Sequence, residues 1–147
     1  TALDVTIQAQ ILDLMLDLKK NNTEAAVVLI THDLAVVAET CERVIVMYGG
    51  VIQEVAEVND LFSKPLHPYT HGLLGSIPRP DINSQRERLE TIPGMVPNIL
   101  ELPVGCKFCT RCTVKLDKCD TEEPPLQEIT PGHFVRCFVT QEEQVSA

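Results

Sequence analysis

The residues with the clearest chemical potential are five cysteines near the end of the chain, spaced Cys106-x2-Cys109-x2-Cys112-x6-Cys119-x17-Cys137. Thiolates are soft donors, and a set gathered this closely suits Zn²⁺ or an iron–sulfur cluster, both of which take four protein ligands. Five are one more than needed. The opening C-x2-C-x2-C run is of a kind that holds iron–sulfur clusters, although such runs continue with a fourth cysteine after three residues, and here six precede Cys119. Disulfides are the alternative; they require an oxidising compartment, and no secretory segment is visible. His133, four residues before Cys137, could replace one thiolate but otherwise reads as a surface histidine. The sixth cysteine, Cys41, falls on the apolar face of a predicted helix, where a buried inert thiol is expected.

The elements that would position such groups differ along the chain. Leu3, Ile7, Ile11, Leu14, Met15 and Leu18 recur at three- and four-residue steps, which predicts an amphipathic helix ending near Asn21-Asn22. Ala25 to Ile30 is short and unbroken, as expected of a strand covered on both faces of a parallel sheet. Thr31-His32-Asp33 separates it from a second periodic stretch, Leu34, Val37, Ala38 and Cys41, with Thr31 or Asp33 placed to cap a short helix. Arg43 to Tyr48 and Val51 to Ala56 flank Gly49-Gly50, a dipeptide suited to the positive φ of a tight hairpin turn. Seven of the ten prolines lie from Pro65 to Pro103 and leave room for one helix, about Tyr69 to Ser76. Residues 78–100 read as an extended connection. The cysteine-rich segment 101–140 has few long apolar runs, so a metal or covalent staple is the natural source of its stability.

Composition limits the function classes. Twelve Lys+Arg stand against 21 Asp+Glu, a net charge of −9, which argues against nucleic-acid binding. An apolar fraction of 44% is enough for a core. The longest apolar run falls far short of the ~20 residues that span a bilayer. There is no G-x-x-x-x-G-K-[ST] loop to cradle phosphates. The chain opens on Thr1, inside a motif-like stretch, which suggests that an N-terminal part of a larger protein precedes it.

Thr1-Ala2-Leu3-Asp4, a helix, then a buried strand ending in Ile30-Thr31-His32-Asp33-Leu34 resembles the back half of an ABC-transporter nucleotide-binding domain. The first motif corresponds to that family's D-loop and His32 to its switch histidine. His67-Pro68-Tyr69-Thr70, Ile92-Pro93-Gly94 and Pro103-Val104-Gly105-Cys106-Lys107-Phe108 are similar to the C-terminal extension of ATP-binding subunits of the dipeptide/oligopeptide (and nickel) import subfamily. The resemblance implies an α/β fold: the C-terminal part of a P-loop ATPase domain at 1–63, a Pro-rich extension at 64–100, an irregular cysteine-rich module at 101–140 and a tail at 141–147. It implies that His32 contacts the γ-phosphate and that Asp4 reaches across a nucleotide-sandwich dimer. A loop histidine and the acidic first turn of a helix are the plainer readings of these two residues. It also implies that Cys106, Cys112, Cys119 and Cys137 hold a [4Fe–4S] cluster, with Cys109 a possible alternative ligand and Zn²⁺ the alternative occupant.

ATP and Mg²⁺ would be used only by the full-length protein, because the Walker A, signature and Walker B motifs would all precede Thr1; the chain alone is expected to be inactive. The implied partners are a second ATP-binding subunit, transmembrane permease subunits and, indirectly, an external solute-binding protein. The implied location is the cytoplasmic face of the membrane. A different class of function also fits the residues: a metal or iron–sulfur module for regulation or assembly, carried by an α/β half without catalysis. The transported solute is not legible.

Overall fold

The structure is a computed structural model that describes residues 5–22, 24–77 and 91–145. Thr1, Ala2 and Asp4 of the D-loop-like motif, and most of the extended connection (residues 78–90), lie outside the described residues. The chain divides into two compact units, residues 1–42 and 43–147.

In the first unit the predicted amphipathic helix is α1, Val5–Asn21. Lys19 and Lys20 occupy its last turn, where cations offset the carbonyl end of the helix dipole. Its apolar stripe is largely uncovered: Leu14 is 61% and Leu18 60% exposed. The predicted buried parallel strand Ala25–Ile30 is not formed; these residues carry no strand hydrogen bonding, and Ile30 is 95% exposed. A strand exists only through a neighbour's hydrogen bonds, and no described residue pairs with this run. The short helix that follows, α2 at Leu34–Thr40, forms as expected.

The second unit is built on an antiparallel sheet rather than a parallel one. Strands β1 (Arg43–Tyr48) and β2 (Val51–Glu57) make the predicted hairpin. Gly49 and Gly50 both take positive φ, 58° and 77°, as a two-residue turn matched to the strand twist demands. Val46 and Tyr48 point inward from β1, while Ile45 and Met47 alternate to solvent. Two further strands, β3 (Gln127–Thr130) and β4 (His133–Val135), complete the order β1-β2-β4-β3. Their link is Pro131-Gly132, with φ preset at the proline and positive, 79°, at the glycine. Because β4 sits between β2 and β3, residues on both sides of the proline-rich stretch share one sheet.

Helices α3 (Val58–Ser63) and α4 (Pro68–Gly75) follow β2 closely. Leu61, 1% exposed, packs with Val46 and Ala56, and Tyr69 and Leu73 of α4 close over that cluster. Tyr69 also joins a second cluster, in which Tyr48 and Phe108 are packed with Cys106, Cys109 and Cys119. Helix α5, Phe138–Val145, ends the described chain. No described helix is long and apolar enough to cross a membrane.

Candidate functional site

Two places bring the sequence-predicted residues into view, one in each unit. In the first unit, the Thr31-His32-Asp33 turn is fixed by its own side chains. Thr31 Oγ1 accepts from the Asp33 amide at 3.0 Å, and Asp33 Oδ1 accepts from Ala35 N at 2.9 Å and Val36 N at 3.3 Å. Asp33, rather than Thr31, is therefore the N-cap of α2, and it satisfies donors that have no intrahelical partner. His32 sits between Thr31 and Asp33 with its side chain exposed. Cys41 closes the same helix as C-cap and is half-buried, not sealed in a core.

In the second unit all five tail cysteines line one cavity, together with His67, Phe108 and Lys115. Local turns deliver them. Cys106 N donates to Cys119 O at 2.9 Å, which joins the two cysteine-bearing loops. Tight single turns at Cys109–Arg111 and Asp117–Asp120 present Cys109, Cys112 and Cys119, and Cys137 lies two residues beyond β4. Gly105 is required for this approach, because a Cβ there would collide with the backbone carbonyl of Cys119. Arg111 forks onto the carbonyls of Ile92 and Pro93, both at 3.0 Å, and Ile92 packs so closely on Gly72 that a Cβ there would lie 2.6 Å from it. The Ile92-Pro93-Gly94 motif is thereby tied both to α4 and to the cysteine loop.

All five thiols are free. Burial pushes the Cys106 thiol up to about 11, and burial likewise raises Cys109 and Cys112, so these side chains hold their protons at neutral pH. They become thiolates only if a cation supplies compensating charge. The cavity is narrow, about 10 Å³, room for about one water. Among the described residues no group of three or more His, Cys, Asp or Glu side chains is set to hold a single metal ion. A Zn²⁺ with Zn–S bonds of about 2.3 Å would need its thiolates roughly 4 Å apart.

His133 does not join the cysteines, nor is it on the surface. It is 4% exposed and its Nε2 lies 2.7 Å from Glu54 Oε1. Glu54, fully buried in β2, also accepts from Leu66 N at 2.7 Å and His67 N at 3.0 Å. One side chain thus joins β2, β4 and the start of α4. His67 is 1% exposed and caps α4, its Nδ1 accepting from Tyr69 N at 3.0 Å. Burial pushes its pKa down to about 4, so the ring is neutral at pH 7. The sequence reading missed Glu54 and the burial of His133. The one available signal was a carboxyl residue within the Val51–Ala56 apolar run, which strand alternation alone assigns to a solvent face.

Residues 53–119 match the family model described as the oligopeptide/dipeptide transporter C-terminal region. Curated relatives align over nearly the whole chain. A probable peptide ABC transporter ATP-binding protein, y4tR, of Sinorhizobium fredii is 53% identical over 97% of the chain and 42% of its own length. The oligopeptide transport ATP-binding protein AppD of Bacillus subtilis is 54% identical over 97% and 43%, and OppD of Escherichia coli 49% over 97% and 41%. The chain therefore spans less than half the length of each of these relatives.

Proposed function

We propose, on the premise that the chain belongs to the oligopeptide/dipeptide transporter family of ABC ATP-binding proteins, that it is part of the ATP-hydrolysing subunit powering a peptide importer. The observation that carries this reading is the alignment with peptide-transport ATP-binding proteins over 97% of the chain, which takes in both the His32 turn and the cysteine cavity. In the working subunit ATP and Mg²⁺ are held by parts that this chain does not include. Its own contribution is His32, which hydrogen-bonds the γ-phosphate and steadies the attacking water, and Asp4, which meets a second ATP-binding subunit across the dimer. Phosphoryl transfer is mainly positioning and electrostatic stabilisation, so an exposed imidazole on a turn held by the Thr31 and Asp33 side chains suits the task.

The subunit works on the cytoplasmic face of the membrane against permease subunits, with an external solute-binding protein delivering cargo. Residues 1–63 act as the end of the ATPase domain, 64–100 as the family extension and 101–140 as the cysteine module. In that module Cys106, Cys112, Cys119 and Cys137 would hold a [4Fe–4S] cluster, with Cys109 in reserve. What supports this is the donor chemistry: five free, largely buried soft thiols line one cavity. A bound cluster would supply one-electron redox chemistry.

The test is reconstitution of the complete subunit with its permease and binding protein in vesicles. Mg²⁺-dependent ATP turnover should rise when di- or oligopeptide is supplied, while the 147-residue chain alone should show none. Turnover by the chain alone, or a reconstituted transporter indifferent to peptides, would refute the assignment.

A further inference from the structure

We infer that Glu123 is a positioning residue of the cysteine cavity: its two carboxylate oxygens join Lys107, which follows Cys106, to Arg136, which precedes Cys137, and so hold the first and last cysteines of the set in register. The inference deepens the cluster-binding reading above and rests on it for its consequences, though not for its geometry.

The two cations are fixed before the carboxylate is considered. Lys107 Nζ turns back on its own loop, donating to Pro103 O at 2.9 Å and Val104 O at 3.3 Å, so the ammonium closes a loop that has Cys106 inside it. Arg136 belongs to the other arm. Its amide donates to Gln53 O at 2.8 Å, its Nε to Ile52 O at 2.8 Å and its Nη1 to Pro124 O at 2.9 Å. Pro124 is itself buried and lines the cavity. Glu123 meets both cations: Oε2 lies 3.0 Å from Lys107 Nζ, and Oε1 accepts from Arg136 Nη1 at 3.2 Å. The sequence prepares this approach, because the residue before a proline is held extended and Glu123 precedes Pro124-Pro125.

An isolated ion pair on an open surface contributes little, since water competes and two long side chains must be ordered for one contact. Here the Lys107 and Arg136 side chains are only 16% and 21% exposed, and backbone carbonyls already hold both. The carboxylate therefore completes two charge-assisted bonds at little ordering cost. Without it, two largely covered cations that now share one carboxylate would meet as like charges, one on each arm of the cavity. The other cysteines have ties of their own. Cys106 N bonds Cys119 O directly, and Arg111, beside Cys112, is anchored on Ile92 and Pro93. Glu123 supplies the corresponding tie between Cys106 and Cys137.

Two substitutions and a double-mutant cycle test this. Glu123→Gln keeps the side chain's size and one acceptor oxygen; Glu123→Ala removes both bonds. In the reduced, chelator-treated chain, alkylation of each cysteine by iodoacetamide is followed by mass spectrometry, with Cys41 as internal standard. Cys106 and Cys137 should both react roughly tenfold faster in Glu123→Ala, the weight of one charge-assisted hydrogen bond, with Glu123→Gln between it and native and Cys112 within about twofold throughout. A loss of overall stability would instead raise all five tail thiols together. In a Lys107→Met background, Glu123→Ala should add less than it does to the native chain, because one of its two partners is already gone.

In the chain purified without oxygen, iron and sulfide content should fall in Glu123→Ala. A native chain without iron or sulfide overturns the cluster reading and leaves positioning to be judged by alkylation. Native rates at Cys106 and Cys137 in Glu123→Ala, an equal rise at Cys112, or full additivity in the cycle overturns the inference. If Glu123→Ala fails to fold, Glu123→Gln decides, since native rates at both cysteines there contradict positioning.

Discussion

Replacing His32 by alanine in the complete ATP-binding subunit is expected to lower ATP turnover by about 10²- to 10³-fold, the range found when a single preorganised donor to a developing charge is lost. On the function proposed above, nucleotide affinity should change little, because removing an interaction made only in the transition state lowers turnover and not binding. The local structure is the reason to expect so clean an effect. Thr31 Oγ1 and Asp33 Oδ1 between them hold three backbone amides, so the turn does not depend on the imidazole for its shape. His32 is exposed, and its removal leaves no cavity. Steady-state phosphate release, paired with a fluorescent-nucleotide titration, gives both quantities. Turnover within twofold of the native subunit would return His32 to an ordinary loop residue.

The largest structural effect is expected at Glu54. Its carboxyl group takes hydrogen bonds from Leu66 N and His67 N and pairs with His133, all inside the second unit. Alanine would leave two backbone donors and an imidazole buried without partners, a loss of about 3–5 kcal/mol. Glutamine keeps one acceptor oxygen but turns an NH₂ toward groups that also donate, and should cost about 1–3 kcal/mol. Urea unfolding followed by circular dichroism measures the difference, and amide exchange at Leu66 and His67 locates it. A Glu54→Ala chain within about 0.5 kcal/mol of native would mean that the network is incidental.

These two residues show where the sequence was readable and where it was not. Local signals were enough for α1, for the Gly49-Gly50 hairpin and for α4, because apolar period, paired glycines and Pro68 act within a few residues. A cap for α2 was legible for the same reason, as Thr31 or Asp33, and the structure makes it Asp33. Ala25–Ile30 was not, since β-branched runs become strands only when a neighbour supplies the ladder, and no described residue does. Strands β3 and β4 have four and three residues, too few for alternation to speak, and only Pro131-Gly132 hinted at their turn. Glu54 and His133 are 79 positions apart, and nothing local marks either as buried. The convergence of five cysteines could be expected from spacing, whereas the His67 imidazole that lines the same cavity comes from the N-cap of α4, far earlier in the chain.

The cysteine cavity holds the chain's densest set of soft donors. Three of its thiols are raised by burial, a state that ligation would reverse by supplying positive charge. The deciding measurement is the iron, sulfide and zinc content of the chain purified without oxygen, read beside its visible absorption spectrum. About four irons and four sulfides per chain, with a broad band near ~400 nm that bleaches on reduction, are predicted. Colourless chains carrying one zinc, or six alkylatable thiols and no metal, would contradict it.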